Sequence, residues 1–290
     1  MLPDTLLAGL PKCGTTALFH WFDRRPDVFV PAVKEPHLLA DLTVSGIGDI
    51  ESYAALYADA TELRRVDCST SSVLHAERVI ANVERYEMPI DTALIVYRNP
   101  VERCISHWNY ARKIGQDDRS LAEVAGSGWG TPNDPWGLES AYVEPGLLAP
   151  GLLRLIERFP RVRVLPYSAM RADPEAFLAE VCRALDVPAG PDDSTLEERN
   201  VSLRPRGIVG AGVLRAANAV GATSVAWPRP VRSVVRRAFV AGSADLADGV
   251  DDDNRFQLEG CFAADQAELR AVAERHPDVF PMPMVAEWVR

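Results

Sequence analysis

The sequence predicts an α/β protein: a central parallel sheet flanked by helices, with further helices at the C-terminal end. Three observations predict it. Four short apolar runs, residues 5–8, 65–68, 93–97 and 162–165, each end in a loop signal, as buried strands do. Helical patterns lie between them, and strands alternating with helices favour a parallel sheet covered on both faces. The first run passes at once through a glycine-containing turn into a helix.

Each element has a local reason. Helix 15–24 carries Leu18, Trp21 and Phe22 on one face and stops before Pro26. Helix 73–85 carries Leu74, Val79, Ile80 and Val83. Pro100 suits the first turn of helix 101–113. Helix 151–158 precedes the fourth run, and Asp173-Pro174 forms an N-cap and first-turn pair for helix 175–185. Residues 189–206 read as a polar loop, and 207–240, rich in Ala, Val and Arg, as helices with a basic surface. Residues 241–254, small and acidic with Asp251-Asp252-Asp253, read as a mobile loop. A last helix, 255–275, carries Phe256, Leu258, Phe262, Leu269 and Val272.

Composition sets the limits. The 290 residues are 47% hydrophobic and 25% charged, enough for a sizeable core. Lys and Arg total 31 against 41 Asp and Glu, a net charge of −10. A surface that acidic disfavours nucleic acid and anionic membranes as general partners, so an anionic ligand needs a local device. The five cysteines, Cys13, Cys68, Cys104, Cys182 and Cys261, form no CxxC pair, which argues against a disulfide framework or a zinc site. No targeting segment or membrane-length apolar stretch is visible, and a cytoplasmic protein is expected.

The first chemical motif is Gly9-Leu10-Pro11-Lys12-Cys13-Gly14-Thr15-Thr16. Glycines permit unusual dihedrals, a helix N-terminus offers free N–H groups, and two hydroxyls add donors: together, a phosphate cradle. The spacing is that of a P-loop with one change, since Thr15 stands where Walker A needs Lys, and the lysine is Lys12. A nucleotide kinase also needs an acid for magnesium at a neighbouring strand end. The third run ends instead in Tyr97-Arg98-Asn99-Pro100, a cation, which points to protein groups rather than a metal as the neutralising charge. Arg98 stands at the carboxyl end of the sheet, and Ser106 lies two turns down the next helix. An Arg and a Ser so placed suit one phosphate.

Together the two segments resemble the sulfotransferases that use 3′-phosphoadenosine 5′-phosphosulfate (PAPS), in their heparan-type and bacterial branch. Lys12-Cys13-Gly14-Thr15-Thr16 matches the PKxGTT loop, and Arg98, Glu102, Arg103 and Ser106 match the RxPxERxxS motif. Lys34-Glu35-Pro36-His37 follows a short strand at 28–30, as in those members. Asp67-Cys68-Ser69, Ser140-Ala141-Tyr142 and Asn200-Val201-Ser202 extend the likeness across residues 4–206. It implies one sulfotransferase domain over 1–290, with a donor-binding core at 1–206 and a helical part at 207–290 on the acceptor side.

The resemblance implies roles residue by residue. Lys12 neutralises the leaving phosphate, and the loop from Cys13 to Thr16 binds the 5′-phosphate through N–H and hydroxyl groups. Arg98 and Ser106 bind the 3′-phosphate, with Arg204 in the loop after Asn200. Glu35 is the expected base, and His37 either orients it or takes the proton itself. Cys68 stands where related members carry a second lysine. Cys13, near a helix N-terminus, could be a reactive thiol, but a spacer is the favoured reading. Trp129, Trp136 and Tyr142 are candidates to line an acceptor pocket. The expected reaction is metal-independent sulfuryl transfer to a hydroxyl of a small or sugar-containing acceptor, leaving PAP. The composition suggests a bacterial secondary metabolite. A small-metabolite kinase and a non-catalytic nucleotide-binding module are the alternatives.

Overall fold

The computed structural model describes residues 1–42, 45–70, 72–114, 117–126, 142–190, 196, 204–205, 240–241 and 250–288. The strands β1 (Thr5–Leu7), β2 (Val28–Phe29), β3 (Arg64–Asp67), β4 (Thr92–Tyr97) and β5 (Arg161–Pro166) form a parallel sheet in the order β2-β3-β1-β4-β5. β1 is the middle strand, with Thr5 level with Val66 on one side and Thr92 on the other. From β1 the chain goes to β2 at the edge, returns to β3 between the two, then crosses to β4 and β5 on the other side. The order therefore reverses beside β1, and open α/β sheets bind ligands off the carboxyl ends of strands at such a point. All six residues of β4 are buried, as expected of a strand covered on both faces.

The helices are α1 (Thr15–Phe22), α2 (Ile50–Ala55), α3 (Ala76–Arg85), α4 (Pro100–Ile114), α5 (Leu121–Gly126), α6 (Ala149–Arg158), α7 (Tyr167–Ala172), α8 (Pro174–Leu185) and α9 (Asp252–Arg275). Local chemistry starts several of them. Asp173 accepts the Ala176 N–H at 3.0 Å ahead of α8, and Asp49 accepts that of Ser52 at 2.7 Å ahead of α2. The amide of Asn82 on α3 donates to the Leu39 carbonyl at 3.0 Å, tying that helix to the chain that follows β2.

The chain falls into two units. The first comprises Met1–Arg103, Val143–Glu197 and Glu259–Arg290, and holds the five-stranded sheet. Its core includes Leu6, Leu7, Leu94, Ile95, Val96 and Val164, each fully buried. At roughly 1.5–3 kcal/mol for each such side chain, this is the main force holding the sheet to its helices. The second unit comprises Cys104–Tyr142 and Glu198–Leu258. In it, Arg204 and Pro205 (β6) pair antiparallel with Ala241 and Val240 (β7). The Trp108 indole donates to the Arg119 carbonyl at 3.1 Å.

Several sequence expectations need correction. The strand expected at 65–68 runs one residue earlier, so Cys68 begins the loop. Ala8 leaves the first strand, Val30 the second, and the helix expected at 73–85 starts at Ala76. Three short helices, α2, α5 and α7, were not expected; at six residues each, they carry less than two turns of periodicity to read. The acidic stretch read as a mobile loop up to Asn254 is in part the start of α9. Asp251 accepts the Asn254 N–H at 2.8 Å, and Asp252 and Asp253 suit the positive end of the helix dipole. Most of 189–206 and 207–240 lies outside the described residues.

Candidate active site

The loop between β1 and α1 is shaped by its backbone. Lys12 has φ 70° and Gly14 has φ 83°, both left-handed. That conformation is costly for lysine and free for glycine. A Cβ on Gly14 would meet Met170 Cε at 2.4 Å and Tyr167 Cε2 at 3.2 Å, and one on Gly9 would meet Thr15 Cγ2 at 2.7 Å. The glycines thus let the cradle close against its own helix and against α7. The Gly14 carbonyl accepts the N–H groups of Ala17 and Leu18 at 3.0 and 3.3 Å, starting α1. The first N–H groups of the helix point out of its end, as an anion cradle requires. Lys12 and Thr16 are half-buried and Thr15 is buried.

Arg98 follows β4 on the same edge of the sheet. Its Nη1 donates to the Lys12 carbonyl at 3.2 Å, and its guanidinium lies 4.8 Å from the centre of the Tyr167 ring. A cation thus stands against the loop at the strand end, as the sequence predicts. The expectation for Cys13 divides. Its thiol is fully buried, and burial pushes its pKa up to about 11 against the pull of Arg103 and Arg98. A thiol so deeply buried is closed to reagents, which favours the spacer reading over the reactive one.

The second cluster joins the loops after β2 and β3. Glu35 Oε2 accepts the Thr70 hydroxyl at 2.8 Å and lies 3.2 Å from His37 Nε2, and Oε1 pairs with the Lys34 ammonium. Burial raises the Glu35 pKa. The His37 hydrogen bond, the Lys34 charge and the Thr70 hydroxyl outweigh it and bring it down to about 2. His37 is buried in a left-handed conformation, φ 57°, and its N–H donates to Ser69 Oγ at 3.0 Å. Asp67, at the end of β3, accepts the Ser69 N–H at 2.8 Å and the Tyr53 hydroxyl at 2.5 Å. Tyr53, Asp67, Ser69 and His37 thus form one hydrogen-bonded chain that ends on the Glu35 carboxylate. Cys68 is fully buried and its thiol pKa is driven well up by burial, opposed by the Lys34 ammonium.

The remaining candidates lie elsewhere or outside what is described. Ser106 is half-buried on the part of α4 that belongs to the second unit. In that unit Tyr142 is fully buried, donates its hydroxyl to Asp117 at 2.8 Å and packs edge-on against His107 at 5.2 Å. Arg204 has a described backbone in β6 and no described side chain. Trp129 and Trp136 lie outside the described residues. Sequence reasoning missed Thr70, Tyr167, Met170 and Glu287. Tyr167 carries a usable signal, since it directly follows the last strand at the carboxyl edge. Glu287 carries none, because it meets Ser168 across 119 residues of sequence.

Sheet order and the glycine-containing loop between β1 and α1 define a P-loop-like α/β protein. The sequence matches the family model described as "Sulfotransferase domain" over residues 2–204, and the chain belongs to that family. Its class of reaction is therefore sulfuryl transfer. Among solved structures it is similar to a sulfotransferase from Alicyclobacillus acidocaldarius, with 19% identity and a TM-score of 0.62 over 94% of this chain and 96% of that one. It is also similar to mouse sulfotransferase SULT7A1 complexed with PAP, with 15% identity and a TM-score of 0.53 over 94% and 89%. No curated protein matches it. Among the described residues no helix is long and apolar enough to cross a membrane, and no group of three or more His, Cys, Asp and Glu could hold a metal ion.

Proposed function

We propose that this protein moves the sulfuryl group of PAPS to a hydroxyl of a small or sugar-containing acceptor. The observation that carries the reading is the Lys12–Gly14 cradle with Arg98 hydrogen-bonded to its rim. Gly9 and Gly14 leave room for Thr15 and for Met170 and Tyr167, so the loop is packed tightly between α1 and α7 and its shape is fixed before a ligand arrives. The loop from Cys13 to Thr16 holds the 5′-phosphate by N–H and hydroxyl groups. Arg98, Ser106 and Arg204 hold the 3′-phosphate. No metal is required, because cations of the chain supply the neutralising charge.

In the transfer a bond forms from the acceptor oxygen to sulfur, and the bond from sulfur to the 5′-phosphate oxygen breaks. The electron pair goes to that phosphate, whose charge Lys12 neutralises, and PAP is left. The acceptor proton goes to the Glu35–His37 pair, with Glu35 as base. The His37 hydrogen bond and the Lys34 charge hold the resting carboxylate far below the range of a good base. Drawing the Lys34 ammonium toward the sulfuryl oxygens lifts part of that restraint and supplies the cation that the Cys68 position lacks. Free cysteines throughout suit a cytoplasmic setting. Residues 207–290, with Trp129, Trp136 and Tyr142, are the proposed acceptor side, and a bacterial secondary metabolite is the proposed acceptor.

Calorimetry with PAP, ATP and GTP, each with and without magnesium, tests the donor. Metal-independent preference for PAP is expected. Preference for magnesium-bound ATP would make the protein a kinase, and tight PAP binding with no transfer to any acceptor would make it a binding module.

A further inference from the structure

The last described residues of the chain come back to the donor cradle. Glu287 is 2% exposed. Its Oε1 accepts the Ser168 N–H at 2.8 Å and its Oε2 accepts the Ser168 hydroxyl at 2.9 Å. Next to it, the Trp288 carbonyl accepts the Asn99 amide at 3.5 Å, and the Arg270 guanidinium lies 5.7 Å from the Trp288 ring centre. Buried Met284 anchors the same segment in the core. Ser168 sits in the first turn of α7. Beside it in sequence, Tyr167 carries Arg98 on its ring and packs with Met170 where a Gly14 side chain would be.

A buried carboxylate held by two donors of one residue fixes that residue in position and direction. Here the residue is the start of the helix that walls the cradle. Resting on the donor reading above, we propose that Glu287 is a positioning residue: by clamping Ser168 it holds the Tyr167 ring against Arg98, so that the guanidinium is set for the 3′-phosphate of the donor. The C-terminal segment is then part of the donor site, and its action falls on one of the two phosphates. Glu287 also lies near enough to Arg98 to feel its charge, while burial raises its pKa.

The selective readout is the ratio of affinities for PAP and 5′-AMP, which differ by the 3′-phosphate alone. In Glu287→Ala the affinity for PAP should fall about tenfold, with that for 5′-AMP unchanged. Glu287→Gln retains an acceptor for the Ser168 N–H and should restore most of the ratio. Tyr167→Leu should lower the ratio as Glu287→Ala does, and the double variant should be no worse than either single one, since both act through one contact. An unchanged ratio in Glu287→Ala, equal loss of both ligands, or full additivity in the double variant would overturn the proposal. Retained 5′-AMP binding verifies that each variant is folded. If the native protein does not distinguish PAP from 5′-AMP, the donor reading itself fails, which is a separate result from a native ratio that survives Glu287→Ala.

Discussion

Two sites at the carboxyl edge of one sheet handle negative charge by different means. The loop after β1, the proposed anion cradle, is shaped by its backbone. Lys12 and Gly14 are left-handed, Gly9 admits Thr15, and the end of α1 supplies N–H groups. The cluster after β2 and β3 must hold an anion of its own, and it does so with side chains. Lys34, His37 and Thr70 surround the Glu35 carboxylate and carry its pKa down to about 2. The first device is contiguous and strained at Lys12; the second is assembled from separate loops and depends on charge. A contiguous backbone device survives most changes nearby, whereas a side-chain cluster is sensitive to pH and to each partner.

The largest expected effects fall on the two groups proposed to carry charge in the transfer. Lys12→Ala should lower kcat about 10²- to 10³-fold, the usual loss for one group that stabilises developing charge. Glu35→Gln should lower it by a comparable factor, within the roughly 10²–10⁴ range of general-base catalysis. Steady-state sulfation assays check both, and full turnover in Glu35→Gln would remove it as the base.

Arg98→Ala comes next. It should weaken PAP binding by about 1.5–3 kcal/mol, the worth of a hydrogen bond to a charged group. Calorimetry reads it, and an unchanged affinity would remove Arg98 from the 3′-phosphate site and leave the backbone loop holding the ligand alone.

Stability comes last, because it leaves binding and turnover untouched at neutral pH, and its direction follows from the sign of each shift. Glu35 lies below its ordinary 4.5, so its contacts contribute stability that is complete above that pH and lost as the pH falls toward 2. Asp265 behaves in the opposite way. Burial raises it from 3.8 to about 6, although it accepts the Ala149 and Leu148 N–H groups at 2.8 and 3.2 Å. Its contribution is complete below about pH 4 and lost as the pH rises through 6. Urea melts across pH 2.5–7 should show a shallower acid loss in Glu35→Gln, by at most about 2–3 kcal/mol. They should show a flatter profile between pH 4 and 6 in Asp265→Asn. The contrast teaches that the His37 hydrogen bond, the Lys34 charge and the Thr70 hydroxyl together overcome desolvation at Glu35, while two backbone N–H groups do not at Asp265, where the Glu268 charge adds to the rise.

How much of this was legible follows from distance along the chain. The run at 93–97, the cradle at 9–16 and the Asp173-Pro174 cap were readable because each acts within a few residues of itself. Glu35 and His37 were readable as a motif. Their partner Thr70 was not, and Ser69 was readable only as part of a strand end, because both arrive on another strand's loop. The six-residue helix α7 left too little periodicity to announce itself, yet it walls the cradle.

By itself the sequence determined the parallel α/β architecture and the anion loop, since alternating apolar runs, glycines and a helix start impose their geometry locally. It also determined that a cation rather than an acid stands at the end of β4. Only the tertiary structure decided what the environment does to each group. Burial silenced the Cys13 thiol, Lys34 and His37 held the Glu35 proton off, and Glu287 reached Ser168 from the far end of the chain. Conformation is set by neighbours in sequence, whereas desolvation and charge are set by neighbours in space.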